Sequence, residues 1–260
     1  FLVCFYAIPV IITVANRKKL YDIPDERKIH TSPISSLGGL GIFIGFMMGL
    51  LLAINNVASV AGFQYYIASF MVIFFFGIKD DILILSPLKK VIGQVLVAAL
   101  LIFKAGIVIT SMHGFLGVHA LNYTMGCFLT LFTVIVVMNA YNLIDGVDGL
   151  AGTISVITCT IFGFFFYVNG DSFFSLLAFT FAASAVGFLI YNYSPAKIFM
   201  GDTGSLIIGF LIASQSINVL TMSNAIPGIQ QISPAIVMAV IFVPVYDVIR
   251  VSVIRILTGY

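Results

Sequence analysis

The sequence predicts an all-α, polytopic integral membrane protein with about nine transmembrane helices. Of its 260 residues, 61% are hydrophobic and only 8% are charged, and the mean hydropathy is +1.16. Soluble domains carry about a quarter charged residues, so this composition excludes a soluble class. The apolar residues are also gathered in runs close to the roughly 20 residues that a helix needs to cross a bilayer.

The apolar runs follow one another along the chain with short polar loops between them. We predict spans at about 1–15, 38–54, 60–78, 91–109, 120–139, 152–168, 173–190, 205–222 and 234–250. Because no soluble segment separates them, residues 1–260 are interpreted as one transmembrane domain. The chain begins at Phe1 inside an apolar run without an initiator Met, so we expect it to be truncated at its start.

The charged residues are distributed unequally between the two sets of loops. All but Lys104 of the 12 Lys and Arg residues fall in one set, which the positive-inside rule places in the cytoplasm. All but Asp171 of the 10 acids fall in the same set. Membrane insertion makes no such demand on carboxylates, so we expect a shared site on the cytoplasmic face. The net charge of +2 gives no indication of nucleic-acid binding.

The stretch Asn139–Gly152 places polar side chains and glycines between two apolar runs. Four amide and carboxylate side chains fall within ten positions: Asn139, Asn142, Asp145 and Asp148. On a helix the first three recur every third residue and share a face. Gly146 and Gly149 would let a ligand approach the backbone. A polar turn between two membrane helices is the alternative, but such a turn needs fewer of these side chains.

Two further motifs carry carboxylates at the ends of spans. Asp80 and Asp81 are adjacent and repel each other unless a cation or a proton intervenes; two separately solvated acids are the alternative. Gly201–Ser205 precedes a span, which suits Asp202 as a metal ligand beside a helix N-terminus whose N–H groups could face phosphate. A simple N-cap explains Asp202 or Ser205 singly, but not the glycines on either side.

The first loop and the last span also carry candidate site residues. The loop Asp22–Pro33 contains His30 and ends before Gly38 and Gly39, which permit tight helix contact; an ordinary basic juxtamembrane loop is the alternative. In the last span Asp247 and Arg250 can pair at i,i+3, whereas Arg255 has no such partner in the sequence.

These residue types together indicate a Mg²⁺-dependent phosphate site at the cytoplasmic membrane surface. Carboxylate and amide oxygens are hard ligands that suit Mg²⁺, and nearby Lys and Arg neutralise phosphate oxygens. The principal alternative is a cation-coupled membrane transporter, which acids near the bilayer midplane would favour; here every acid lies at the end of a span. A purely structural membrane protein would leave the one-sided acids unexplained.

In order and spacing, these segments resemble the polyprenyl-phosphate N-acetylhexosamine-1-phosphate transferases, bacterial glycosyltransferase family 4. The similarity is greatest to the branch that initiates O-antigen (lipopolysaccharide) and teichoic-acid linkage synthesis. It is carried by Asp22–His30 with Gly38 and Gly39, Asp80 and Asp81 with Lys90, Asn139–Gly152, Phe199–Ser205 and Pro244–Arg255.

The resemblance implies an enzyme of cell-wall biogenesis in the bacterial inner (cytoplasmic) membrane, with its active site on the cytoplasmic face. Its donor would be a UDP-N-acetylhexosamine such as UDP-GlcNAc, and its acceptor would be polyprenyl (undecaprenyl) phosphate. The products would be polyprenyl-diphosphate-sugar and UMP. Mg²⁺ would be the cofactor, with Mn²⁺ as the alternative ion. Membrane lipid and a second copy in a homodimer are the other implied partners, without nucleic acid.

The resemblance also implies a role for each matching residue. Two residues would bind Mg²⁺: Asp202 and Asn142. Four would act in catalysis, the first two beside the metal and the lipid phosphate and the others on phosphate: Asp80, Asp81, Lys90 and Arg255. Five would bind substrate, the two aspartates at its nucleoside end: Asn139, Asn142, Asp145, Asp148 and His30.

Two departures from the family pattern limit what can be carried over. Ser35 and Ser36 stand where many relatives have Pro-Arg, which leaves the contacts of that loop open. In the family a histidine-rich cytoplasmic loop and a final span would follow Tyr260, so we expect truncation at this end too. The complete protein would then have about ten or eleven spans.

Overall fold

The computed structural model describes residues 1–20, 34–54, 62–83, 85–225 and 233–258, and within these ranges it contains helices but no strands. This confirms the predicted all-α class. The α-helices in the described ranges are α1 Leu2–Lys18, α2 Gly38–Ala53, α3 Phe63–Leu83, α4 Pro87–Ala99, α5 Tyr123–Ile144, α6 Leu150–Val168, α7 Ser172–Asn192, α8 Gly201–Ala225, α9 Pro234–Val240 and α10 Phe242–Thr258. A π-helical turn, Leu100–Lys104, extends α4.

The helices that can cross a membrane are fewer than the predicted spans. By length and apolar character, α5, α6, α7 and α8 qualify within the described residues, and the bent pair α9 and α10 makes a fifth if it is one span. Helix α2 is apolar but has only 16 residues. The protein is therefore a multi-pass membrane protein, while the prediction of about nine spans is not confirmed.

The last predicted span, 234–250, is not one straight helix. Helices α9 and α10 meet at Ile241 with a bend of 78°. Pro244 lies in the first turn of α10 and has no N–H to bond the Val240 carbonyl, and its ring would clash with that oxygen in a continuous helix. The proline therefore accounts for the break that apolar patterning alone missed.

Helix α8 occupies the centre of the bundle. In its membrane-crossing window, 89% of the residues are buried, and it packs against α2, α3, α5 and α6. Aromatic rings join it to its neighbours: Phe210 lies edge-to-face on Phe70 at 5.2 Å, and Phe70 lies edge-to-face on Phe46 at 5.1 Å. Because α8 begins at Gly201–Asp202, its central position brings that motif to the middle of one end of the bundle.

Glycines allow α2 to approach the start of α8 closely. A Cβ atom on Gly39 would lie 2.7 Å from the Gly204 Cα atom, so the two backbones are in direct contact. The N–H groups of Gly38 and Gly39 donate to the carbonyls of Phe199 and Met200 at 2.9 and 2.8 Å. The predicted tight helix contact is confirmed, and it holds the segment that leads into α8.

The other end of the bundle carries a short hairpin between α4 and α5. Ser111 and Ala120 form an antiparallel bridge, and His113 Nε2 lies 3.1 Å from the carbonyl oxygen of Leu220 near the end of α8. Asp171 also lies at this end, where its side chain caps α7 by accepting from the Phe174 N–H at 3.0 Å. Its role there is structural.

Candidate active site

A cavity opens at the end of the bundle where α3 and α5 end and α4 and α8 begin. Its lining contains six predicted site residues together with small and apolar neighbours: Asp80, Asp81, Lys90, Asn142, Asp145 and Asp202, with Ser36, Leu143, Gly146 and Gly201. Segments far apart in sequence therefore converge as the one-sided acids predicted. With all four carboxylates ionised and one ammonium present, the lining carries an excess of negative charge.

Lys90 joins three of the converging helices. Its Nζ atom lies 2.5 Å from Asp80 Oδ2 and 3.0 Å from Asp202 Oδ2. Helix α4 begins at Pro87, so Lys90 lies in its first turn. This position is beside the end of α3 and the start of α8. Burial lowers the pKa of Lys90, but the two carboxylates raise it by more, so the side chain is a cation at neutral pH.

Asp80 is buried, with 3% of its surface exposed. Its Oδ1 atom accepts from the Leu85 N–H at 2.6 Å, which closes the turn after α3. Asp80 Oδ2 lies 2.5 Å from Lys90 Nζ, so the ammonium group is the partner of this oxygen. Burial, followed by the neighbouring Asp202, raises the pKa of Asp80. Asp80 is therefore paired with Lys90, and Asp202 contacts the same ammonium group.

Asp81 points to the first turn of α8. Its Oδ1 atom accepts from the Asp202 N–H at 2.7 Å, and its Oδ2 atom accepts from the N–H and the hydroxyl of Thr203 at 3.0 and 2.5 Å. Burial raises the pKa of Asp81 to about 7 even though these three hydrogen bonds lower it. The carboxylate therefore caps α8 from a neighbouring helix.

Asp145 completes the cap of α8. It follows the last residue of α5, and its Oδ2 atom accepts from the Gly201 N–H at 3.1 Å. Burial, and then the charge of Asp81, raises the pKa of Asp145 well above its usual value. The prediction that the N–H groups of α8 face phosphate is wrong for Gly201, Asp202 and Thr203, because these two carboxylates already occupy them.

Gly201 is required by the same arrangement. Its φ of 72° lies in the left-handed region, where other residues are strained. A Cβ atom there would overlap the Ser36 carbonyl oxygen and lie 2.6 Å from Asp81 Oδ1. The first glycine of the motif thus permits both the turn into α8 and the approach of Asp81.

Asn142 holds the carboxylate of Asp202 from the α5 side. Its Nδ2 atom donates to Asp202 Oδ1 and to Ser205 Oγ, the latter at 3.0 Å. Rotation of the amide by half a turn would present Oδ1 in place of Nδ2. Asn142 would need that rotation to serve as the predicted metal ligand, because a nitrogen that carries two hydrogens cannot bind a cation.

Three other predicted residues, Asn139, Asp148 and Arg255, do not line the cavity. Asn139 is exposed and exchanges hydrogen bonds with Gln94, at 3.0 Å and 3.4 Å, and Asp148 Oδ2 accepts from the Ala196 N–H at 3.3 Å. Arg255 is exposed on α10, and His30 lies outside the described residues. Their roles in catalysis and substrate binding stay predictions.

Sequence reasoning did not single out Gln94 or Thr203. Gln94 is 1% exposed and stands one helical turn after Lys90, on the same face of α4. Its position as a lone polar residue in an apolar run was a usable signal. Thr203 lies inside the recognised motif, but the sequence contains no sign of its bond to Asp81.

The donor set fits a hard divalent cation bound with help from substrate. Within the described part of the chain, no three His, Cys, Asp or Glu side chains are grouped so as to enclose a metal ion. Mg²⁺ commonly takes only one or two carboxylates and completes its shell with water and phosphate. The carboxylate oxygens of Asp202 and Asp80 beside Lys90 match that habit and do not match a closed structural metal site.

Comparison with known proteins shows which family the chain belongs to. The model of the family described as "Glycosyl transferase family 4" matches residues 63–220, which is more than half of the chain. The chain is 31% identical to the decaprenyl-phosphate N-acetylglucosaminephosphotransferase of Mycobacterium leprae, over 99% of this chain and 70% of that protein.

Two other relatives have similar names. The chain is 32% identical to the probable undecaprenyl-phosphate N-acetylglucosaminyl 1-phosphate transferase of Bacillus subtilis, over 96% of this chain and 68% of that protein. It is 30% identical to the undecaprenyl-phosphate alpha-N-acetylglucosaminyl 1-phosphate transferase of Yersinia pestis, over 95% and 67% respectively. The predicted membership is confirmed, and the chain belongs to glycosyl transferase family 4.

Proposed function

We propose that this protein transfers N-acetylhexosamine 1-phosphate from a UDP-sugar to polyprenyl phosphate and releases UMP. The observation that carries the proposal is the contact of Lys90 with both Asp80 and Asp202 at the mouth of a cavity formed by helix ends. The names of the relatives support a polyprenyl phosphate acceptor and favour N-acetylglucosamine as the sugar.

The reaction needs no external oxidant or base. An oxygen of the lipid phosphate attacks the β-phosphorus of the UDP-sugar, and the bond from that phosphorus to the bridging oxygen breaks as UMP leaves. A phosphate monoester has a second pKa of about 6, so the attacking group is already largely dianionic at pH 7. The protein must therefore position two anions and reduce their repulsion.

The residues at the cavity suit that task. The Lys90 ammonium would contact phosphate oxygens, and Asp80 would orient it through their contact of 2.5 Å. Mg²⁺, or Mn²⁺ in its place, would be held by Asp202 and Asn142 and would supply charge neutralisation between the phosphates. Arg255 would add a second cation from α10.

A membrane setting suits these substrates. The carboxylates lie at helix ends, which is the level at which a lipid phosphate meets water, and we place this end on the cytoplasmic face of a bacterial inner membrane. No observation supports the transporter alternative, since the cavity acids stand at helix ends and not at the midplane. A homodimer is also part of the proposal.

A release assay tests the proposal. Purified protein in detergent is given UDP-N-acetylglucosamine and Mg²⁺, with and without undecaprenyl phosphate, and UMP is measured. We expect UMP only when the lipid acceptor is present. UMP release that is independent of the acceptor would indicate a hydrolase, and no release in either arm would contradict the proposal.

A further inference from the structure

The adjacent aspartates Asp80 and Asp81 differ in what they contact. Asp80 faces Lys90, with its Oδ2 atom 2.5 Å from Lys90 Nζ. Asp81 instead accepts three hydrogen bonds, all from Asp202 and Thr203, at 2.5 to 3.0 Å. An ionised carboxylate has about four acceptor positions, so Asp81 has little capacity left for a ligand.

Two of the hydrogen bonds to Asp81 come from the main-chain N–H groups of Asp202 and Thr203, and the third comes from the Thr203 hydroxyl. The Asp202 side chain is then held by Lys90 at 3.0 Å and by Asn142. Main chain and side chain of Asp202 are thus fixed by different residues. A shift of the Asp81 carboxylate would move the main chain of Asp202 without removing either side-chain contact directly.

The fit between α3 and α8 leaves little room for other placements. A Cβ atom on Gly77, one helical turn before Asp81, would lie 2.5 Å from Thr203 Cα. Thr203 itself is fully buried, so its hydroxyl has no access to water as a substitute partner. The end of α3 therefore sets the place of the first turn of α8.

We propose that Asp81, with Thr203 as its partner, is a positioning residue that holds Asp202 in the orientation that binds the divalent cation. In this assignment Asp81 does not touch the reacting phosphates, and of the two aspartates only Asp80 belongs to the reacting centre. The inference rests on the proposed function, because it takes Asp202 as the cation ligand.

Mn²⁺ binding to the purified, substrate-free protein tests the assignment. Free Mn²⁺ is followed by electron paramagnetic resonance during a titration of wild type, Asp81→Asn, Thr203→Val and Thr203→Ser. Loss of an outer partner of a metal ligand weakens metal binding by roughly 10- to 100-fold, and we expect this for Asp81→Asn. Thr203→Val keeps the shape of the side chain but loses the hydroxyl, so its affinity should fall at least about fivefold. Thr203→Ser retains the donor and should stay within about twofold of wild type.

A kinetic readout separates positioning from general loss of structure. In the UMP-release assay, Asp81→Asn should need a higher Mg²⁺ concentration for half-maximal rate and should regain rate as Mg²⁺ is raised. Its KM for the UDP-sugar should change little. A general structural defect would lower the rate at every Mg²⁺ concentration, which would overturn the assignment.

Other outcomes are equally decisive. Wild-type Mn²⁺ affinity in folded Asp81→Asn, or equal affinities in the two Thr203 variants, would overturn the inference, as would the absence of saturable Mn²⁺ binding to wild type. If Asp81→Asn does not fold, the comparison of Thr203→Val with Thr203→Ser still tests the inference. Weakened Mn²⁺ binding in the variants, together with no UMP release by wild type, would support the inference and refute only the proposed transfer reaction.

Discussion

At the level of single residues, the cavity is lined by four carboxyl groups and one ammonium group. Lys90 contacts Asp80 and Asp202, while Asp81 and Asp145 are turned toward the backbone of α8. The four acids therefore do not act alike. Asp80 and Asp202 contact the ammonium group of Lys90, whereas Asp81 and Asp145 bind the N–H groups at the start of α8.

We predict that Asp202→Ala abolishes turnover. The change removes a charged cation ligand and the partner of both Lys90 and Asn142, so the rate should fall at least about 10³-fold, or roughly 4 kcal/mol of barrier. UMP release at saturating Mg²⁺ measures it, with size-exclusion chromatography in detergent as the test of folding. Asp171→Asn, an acid change at the far end of the bundle that keeps a capping oxygen, is the matched control. More than a tenth of wild-type activity in Asp202→Ala would refute the ligand role.

Residue types and spacing were enough to name most of the cavity lining. The polar residues stand out against the apolar runs. The distribution of Lys and Arg between the loops placed these polar residues on one side of the membrane. The direction in which each carboxylate points was not predictable, because Asp81 and Asp80 are identical in type and adjacent. Gly77, one helical turn before Asp81, packs against Thr203, and this packing turns the face of α3 that carries Asp81 toward α8.

At the scale of helices, the register between α4 and α5 sets the position of Lys90. One turn deeper in the bundle, Gln94 of α4 and Asn139 of α5 donate to each other at 3.4 and 3.0 Å. Such a bond between membrane helices contributes about 1 kcal/mol. That is too little to determine folding, but it is enough to change how often Lys90 reaches Asp202.

We predict that Gln94 and Asn139 can exchange places with little loss of activity, whereas changing either one alone lowers the activity. Gln94→Asn and Asn139→Gln, made singly, change the combined length of the pair and should each lower the UMP-release rate severalfold, up to about tenfold. The double exchange restores the combined length and should recover most of the rate. A double variant no better than the poorer single variant would show that the pair does not set the register.

Helix boundaries followed from the sequence better than membrane crossings did. Each predicted run contains a described helix, because long apolar segments favour helices that satisfy their own backbone groups. The predicted run 38–54 matches α2 to within one residue, although its 16 residues fall short of the length that a membrane-crossing helix needs. The bend at Ile241 was missed, because apolar patterning does not report a proline-induced break.

At the scale of the whole molecule, the two ends of the bundle differ in character. One end carries the cavity and its acids, and the other carries the hairpin around His113 and the cap of α7 by Asp171. The proposal places the cavity end in the cytoplasm, on the prediction from the Lys and Arg residues of the loops.

We predict that this orientation can be read by labelling single cysteines. In a variant without Cys4, Cys127 and Cys159, new cysteines at the exposed positions Lys18, Lys89 and Lys197 should be protected from an impermeant thiol reagent in intact cells. A cysteine at Val118, in the hairpin, should be labelled. All four should react in inverted vesicles or permeabilised cells. Labelling of the three lysine positions from outside would contradict the cytoplasmic site.

The proposed reaction moves a sugar 1-phosphate from a nucleotide to a lipid phosphate, so the fate of the β-phosphorus is its sharpest test. UDP-N-acetylglucosamine labelled with ³²P at the β-phosphate is incubated with the protein, Mg²⁺ and undecaprenyl phosphate, and the mixture is extracted with organic solvent. We predict that the label enters the lipid phase in amounts equal to the UMP formed, and that Asp202→Ala leaves it in the aqueous phase. Label that appears in water-soluble sugar phosphate while UMP is released would contradict the account.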